Sequence, residues 1–133
     1  MRVVIDTNVL VLGLLSPYGA SAVIVRMAVG GSLDLLYDAR IISEYREVLA
    51  RPKFSFEKSN IDILLQFIEH YGIPVAAAPL SVHLSDLDDE PFLEVAISGK
   101  AECLITGNAA HYPMRSKHKM RVLTPRQFIN RYY

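Results

Sequence analysis

Cysteine is nearly missing from this chain: Cys103 stands alone among 133 residues. A single thiol excludes an internal disulfide and a zinc site built from cysteines. Its apolar neighbours Leu104 and Ile105 point to a buried, inert side chain. Long apolar runs are missing too, and none reaches the ~18 residues that a membrane span needs. The N-terminal stretch holds one Arg2 and is soon broken by Asp6 and Asn8. It is a poor secretory signal, so a cytoplasmic protein without a membrane partner is expected. No repeat, low-complexity tract or linker divides the chain, whose length suits one domain. Apolar residues make up 51% of it, enough for an ordinary core and an argument against disorder.

Net charge is zero, with 14 basic and 14 acidic residues, but the two signs are segregated. Asp86, Asp88, Asp89, Glu90 and Glu94 fall between Ser81 and Gly99, where Lys and Arg are absent. From Lys100 to Tyr133, seven Lys and Arg stand against one acid, Glu102. Such asymmetry suits a cation site beside an anion-binding surface, or two solvated faces.

Strand and helix signals alternate. Arg2 to Ile5 is a short strand, apolar on both faces as in a covered parallel sheet. Helices come next, over Thr7 to Leu15 and Ser21 to Val29. A second strand runs from Leu33 to Tyr37, and a helix from Ile42 to Ala50. Ser59 to Tyr71 repeats apolar residues at helical spacing and stops at Gly72. Ile73 to Val75 reads as an edge strand, and Ala76 to Leu87 as a loop. Glu90 to Ser98 is a helix with Asp88 or Asp89 as its cap and Pro91 in its first turn. Strands at Cys103 to Thr106 and Arg121 to Leu123 precede a last helix capped by Thr124. This order predicts an α/β domain with a mostly parallel sheet.

Four stretches carry chemistry. In VVIDTNVL, residues 3–10, Asp6 comes directly after the first strand, where an open parallel sheet binds its ligands. A buried carboxylate there needs a partner, either a cation or the first N–H groups of the next helix. In SEYREVL, Glu44 and Glu47 stand at the border of an apolar helix face, where a solvated Glu is usual. In DLDDEPFLEVA, four acids within five positions repel one another. A divalent cation relieves that repulsion; a helix dipole accounts for one or two of the acids. In CLITGNAAHYP, Thr106 and Asn108 offer oxygen ligands or support at a second strand end, or simply form the turn after it. Hard oxygen donors without clustered Cys or His suit Mg²⁺ or Mn²⁺.

Taken together and in this order, the four stretches resemble the PIN-domain family, and within it the VapC-type ribonucleases of bacterial toxin–antitoxin systems. The resemblance covers nearly the whole chain and implies one domain over residues 1–133. It implies a Rossmann-like three-layer α/β/α sandwich around a mostly parallel sheet. It further implies Mg²⁺- or Mn²⁺-dependent endoribonuclease activity, an RNA substrate, a cognate antitoxin and a homodimer. Asp6, Glu44 and Asp89 match the family's first three acids, as catalytic and metal-binding residues. Asn108 stands at a fourth position that is often Asp, so the amide can ligate but adds no charge. Asn8, Asp86 and Thr106 are supporting residues. Glu94 is a substitute for the missing charge only if it faces the same pocket, yet it lies ~140° around the helix from Asp89. Arg115, Lys117 and Lys119 are expected to hold the RNA backbone, with His118 among them. Two other readings stand beside this one: a PIN fold that binds without cutting, and a phosphatase with Asp6 as nucleophile. The latter wants a second Asp where this chain has Asn8.

Overall fold

The computed structural model describes residues 1–81, 83–112 and 120–133. Five strands form one parallel sheet: β1 (Arg2–Ile5), β2 (Asp34–Tyr37), β3 (Ile73–Pro74), β4 (Cys103–Ile105) and β5 (Arg121–Leu123). Their spatial order is β3-β2-β1-β4-β5. The helices are α1 (Thr7–Leu15), α2 (Ala20–Val29), α3 (Ala39–Leu49), α4 (Lys58–Tyr71), α5 (Glu90–Ser98) and α6 (Pro125–Tyr132).

Strand residues are apolar on both faces because both faces are covered. Val3, Val4, Cys103, Leu104 and Ile105 are fully buried. Successive side chains point to opposite faces. In β2, Leu35 packs beside Ala28 of α2 and Ile68 of α4, whereas Leu36 meets the end of α5 at Gly99. Helices α2 and α4 therefore cover one face and α5 the other, which gives the expected three layers. Helices α1 and α2 meet at an angle of 98°. Gly13 permits that approach: a Cβ there would stand 2.4 Å from Val25 and 2.7 Å from the Ser21 carbonyl. Among the described residues no single helix is long and apolar enough to cross a membrane.

Beyond shifts of one residue at several element ends, two details differ from the sequence reading. Helix α3 begins at Ala39, three residues before Ile42, because Asp38 caps it by accepting from the Ile41 N–H at 3.1 Å. At the start of α5, Asp89 occupies the cap position without a side-chain bond, and Asp86 instead accepts from the Asp88 N–H in the preceding turn.

Strand order explains where a ligand belongs. From β1 the chain builds β2 and β3 outward on one side, then crosses to build β4 and β5 on the other. The carboxyl ends of β1 and β4 flank this reversal, the crevice where open α/β sheets bind their ligands.

Candidate active site

Ile5 pairs with Ile105, so β1 and β4 end side by side. The next residues are Asp6 and Thr106, and both are buried. The Asp6 N–H donates to the Ile105 carbonyl at 2.9 Å. The Thr106 hydroxyl donates to Asp6 Oδ2 at 2.7 Å, and the Thr7 N–H donates to Asp6 Oδ1 at 2.8 Å. Asp6 thus caps α1 and also faces the crevice, so the two readings of it are compatible. Burial pushes its carboxyl above the ordinary range, and these hydrogen bonds pull it back in part.

Glu44 comes to the same place from α3. Thr7 donates its hydroxyl to Glu44 Oε2, which ties the first turn of α1 to the middle of α3. The adjacent Tyr45 donates its hydroxyl to the Ile5 carbonyl and so locks α3 against the end of β1. Partial burial raises the Glu44 carboxyl, and Asp6, Asp88 and Asp89 add repulsion. Glu47, by contrast, stays in solvent and pairs with Arg51.

The third segment is delivered by α5. Leu80 donates its N–H to Glu94 at 3.0 Å, and Leu84 donates its N–H to Glu90 at 2.8 Å. These two buried carboxylates hold the incoming loop along the helix, and the turn Leu87–Asp89 then brings Asp86, Asp88 and Asp89 to the crevice. Asp89 is pushed up to about 6, first by desolvation and then by the charges of Asp6 and Asp86. His111 lies near it, with Nδ1 3.9 Å from Oδ2. Glu94 does not serve this cleft: it binds Arg40 at 2.7 Å and the Leu80 N–H. The expectation that it could compensate for Asn108 is corrected by this position.

The result is a cavity of about 460 Å³ whose wall includes Asp6, Glu44, Asp86, Asp88, Asp89, Asn8 and Asn108. Asn8 Oδ1 accepts from the Gly107 N–H at 3.2 Å, and Thr106 Oγ1 accepts from the Asn108 N–H at 3.1 Å. These bonds fix the turn that carries Asn108. Val11, Leu12, Leu15, Val48 and Phe54 complete the wall. Among the described residues, five carboxylates and no Lys or Arg line the cavity. Arg115, Lys117 and Lys119 lie outside the described residues.

A family model described as a PIN domain matches residues 2–110. The chain belongs to the PIN domain family. The matched segment runs from β1 to the turn after Asn108 and contains every acid of the cleft. PIN domains are in general nucleases. This PIN domain is similar to the crystal structure of FitAcB from Neisseria gonorrhoeae, with a TM-score of 0.58 and 14% identity over 92% of this chain and 97% of that one. At that identity the likeness concerns the fold. No curated protein matches the chain significantly.

PIN nucleases in general use divalent metals, and the donor set here suits one. Carboxylate and amide oxygens are the hard donors that Mg²⁺ and Mn²⁺ prefer. Burial first, and the neighbouring carboxylates second, raise Asp6, Glu44 and Asp89, and a cation would offset both by favouring their ionised forms. Among the described residues no three His, Cys, Asp or Glu side chains are gathered closely enough to hold a metal ion as they stand; the carboxylates are spread along the wall of this PIN domain's cleft.

Sequence reading misses two participants. Thr7 sits inside the first motif but carries no charge to single it out. Tyr45 reads as one more apolar-face residue of α3.

Proposed function

We propose that this PIN domain is a divalent-cation-dependent endoribonuclease and the toxin of a toxin–antitoxin pair. The observation that carries this reading is the cleft itself: five carboxylates from separate segments gather at one sheet edge with no basic side chain among the described lining residues. A phosphodiester is an anion and is repelled by such a cleft unless a cation offsets the charge. Asp6, Glu44 and Asp89, with the Asn108 amide, would hold Mg²⁺ or Mn²⁺. A divalent cation there supplies Lewis acidity toward the phosphate and makes water more acidic for in-line attack.

The chain's own groups do the positioning. Thr106 and the Thr7 N–H hold Asp6 in place and favour its ionised form against burial, and the Thr7 hydroxyl does the same for Glu44. Asn8 steadies the Asn108 turn. The apolar wall from Val11 to Phe54 suits bases or sugar faces and limits water on that side. Arg115, Lys117 and Lys119 are proposed to hold the RNA backbone. An antitoxin that blocks this cleft, a homodimer and a cytoplasmic location complete the reading.

The test is RNA incubated with the protein and Mn²⁺ or Mg²⁺, with and without EDTA, beside the Asp6→Asn variant. Cleavage that needs the metal and Asp6 supports the proposal. RNA left intact under every divalent metal overturns it.

One observation favours a second reading, a PIN fold that binds RNA or a protein without cutting. Asn108 places a neutral amide on the cleft wall. Asn108→Asp separates the two: a gain of cleavage from an inactive parent supports the binding module, and a parent already active removes it.

A further inference from the structure

The cleft lining follows α1 from Asn8 to Leu15, about 10 Å along the helix axis, and α3 from Glu44 to Val48. Both helices carry it away from the acids, and Phe54, at the end of the turn Pro52–Phe54 that follows α3, completes it. Leu14 and Leu49, the chain neighbours of Leu15 and Val48, line a second cavity of about 220 Å³ with Phe56 and with Asn60, Ile61 and Leu64 of α4. Phe54 and Phe56 therefore stand on two adjoining cavities.

The two rings form a stack, with centres 6.0 Å apart and planes 28° from parallel. Ser55 between them has a left-handed backbone with φ 57°, which a residue with a Cβ rarely adopts. Its N–H donates to the Pro52 carbonyl at 3.1 Å and closes the turn. Backbone strain of this kind persists where the surroundings impose it, and it gathers at ligand clamps. Both rings rest against the core, which explains one side of the stack. On Phe54 the exposed Lys53 also sets its ammonium over the ring, 5.1 Å from the centre. An aromatic face met by a solvent-exposed cation is open to exchange: a nucleobase can take the face, and the cation a phosphate. Nearby, Arg51 pairs with Glu47 and Lys58 with Asp62, whereas Lys53 has no carboxylate partner among the described residues. Beside a wall of five carboxylates, this cation is placed to meet a polyanion.

We propose that Phe54 and Lys53 form a nucleotide subsite at the rim of the cleft, which takes an unpaired RNA nucleotide close to the scissile phosphate. The base stacks on Phe54, and the Lys53 ammonium passes from the ring to a backbone phosphate. Phe56 backs Phe54 and holds its plane. The inference rests on the reading of the cleft as a cation-dependent RNA site. It adds a selectivity to that reading: bases in a duplex already stack on one another, so the subsite admits single strands.

The experiment follows, by fluorescence anisotropy in Mn²⁺, a labelled single-stranded RNA of about 12 nucleotides and a duplex of the same sequence binding to the full chain. Stopped-flow mixing reads each titration before any cut. Four proteins are compared: the parent, Phe54→Leu, Phe54→Tyr and Lys53→Gln. Phe54→Leu binds the single strand about 10-fold more weakly, Phe54→Tyr binds it like the parent, and neither changes binding of the duplex. Lys53→Gln lowers the slope of log affinity against log salt by ~0.7, the share of one phosphate contact on a single strand, and Phe54→Leu leaves that slope alone. Lys53 is exposed, so its variant folds whatever becomes of Phe54→Leu. Parental single-strand affinity in Phe54→Leu overturns the inference, as does a parental salt slope in Lys53→Gln. Equal losses on single strand and duplex in Phe54→Leu overturn it as well. A parent that binds no RNA in Mn²⁺ defeats the reading of the cleft, and the inference falls with it. A parent that binds and cuts nothing, yet responds at Phe54 and Lys53, supports the subsite and defeats the nuclease alone.

Discussion

The Thr106 hydroxyl donates to Asp6 Oδ2 at 2.7 Å, joining residues 100 positions apart. The same oxygen of Thr106 accepts from the Asn108 N–H, so one fully buried hydroxyl orders two sides of the cleft. Thr106→Val keeps the shape and removes both bonds. It leaves a buried carboxylate short of a donor, which costs about 1–3 kcal/mol of folding stability. Thr106→Ser restores the hydroxyl and recovers most of that loss. Urea denaturation of the three proteins checks this, and a Thr106→Val variant as stable as the parent contradicts it.

Stability of the metal-free protein falls as pH rises through the acidic range. Asp6, Glu44 and Asp89 all have carboxyls raised by folding, Asp89 to about 6. A raised carboxyl binds more protons in the folded state than in the unfolded one. Its ionisation therefore works against the fold, and the loss develops between the ordinary carboxylate range and about pH 6. Asp62 behaves oppositely: Lys58 and Arg46 lower it, so its contribution is lost only at more acidic pH. Thermal melts in EDTA from about pH 4.5 to about pH 7.5 span both limits. Mn²⁺ stabilises more at the upper end of that range than at the lower, since protons compete for the same oxygens. A metal-free melting temperature that climbs steadily across the range is the opposite outcome.

Glu94 separates support from ligation. It accepts from Leu80 and pairs with Arg40, away from the cleft wall. Glu94→Ala leaves the Leu80 N–H without its acceptor and frees the loop that carries Asp86 to Asp89. The expected cost is about 1–3 kcal/mol, at the lower end because Arg40 is half exposed. Glu94→Gln keeps an acceptor for Leu80 and binds Mn²⁺ with parental affinity. A Glu94→Gln variant that folds normally but has lost Mn²⁺ affinity would make Glu94 a ligand after all.

Much of the fold is legible in the sequence because the relevant signals are local. Helices α1 and α5 have the bounds that the apolar pattern and the Gly99 stop indicate, and β1 and β5 read as written. The start of α3 is harder to see, because Asp38 adjoins a strand directly and no loop marks the boundary. The acids are visible as charges set in apolar company, but their convergence is a property of strand order, which periodicity does not encode. Asp86 and Glu94 illustrate this. Both belong to one motif, yet Asp86 reaches the cleft and Glu94 turns to Arg40. Neutral hydroxyls are the least legible: Thr7 and Tyr45 act through geometry alone, and nothing in a linear pattern distinguishes a bonded hydroxyl from a packed one.

Carboxylates from three distant segments are held to share one divalent cation, and every functional role proposed for the cleft depends on that. Anomalous diffraction from crystals grown with Mn²⁺ addresses it most directly. The predicted result is a manganese peak within bonding distance of Asp6, Glu44 and Asp89, absent in crystals of Asp6→Asn grown in the same way. Crystals of the parent with no peak in this cleft, or with manganese bound only elsewhere, would contradict it.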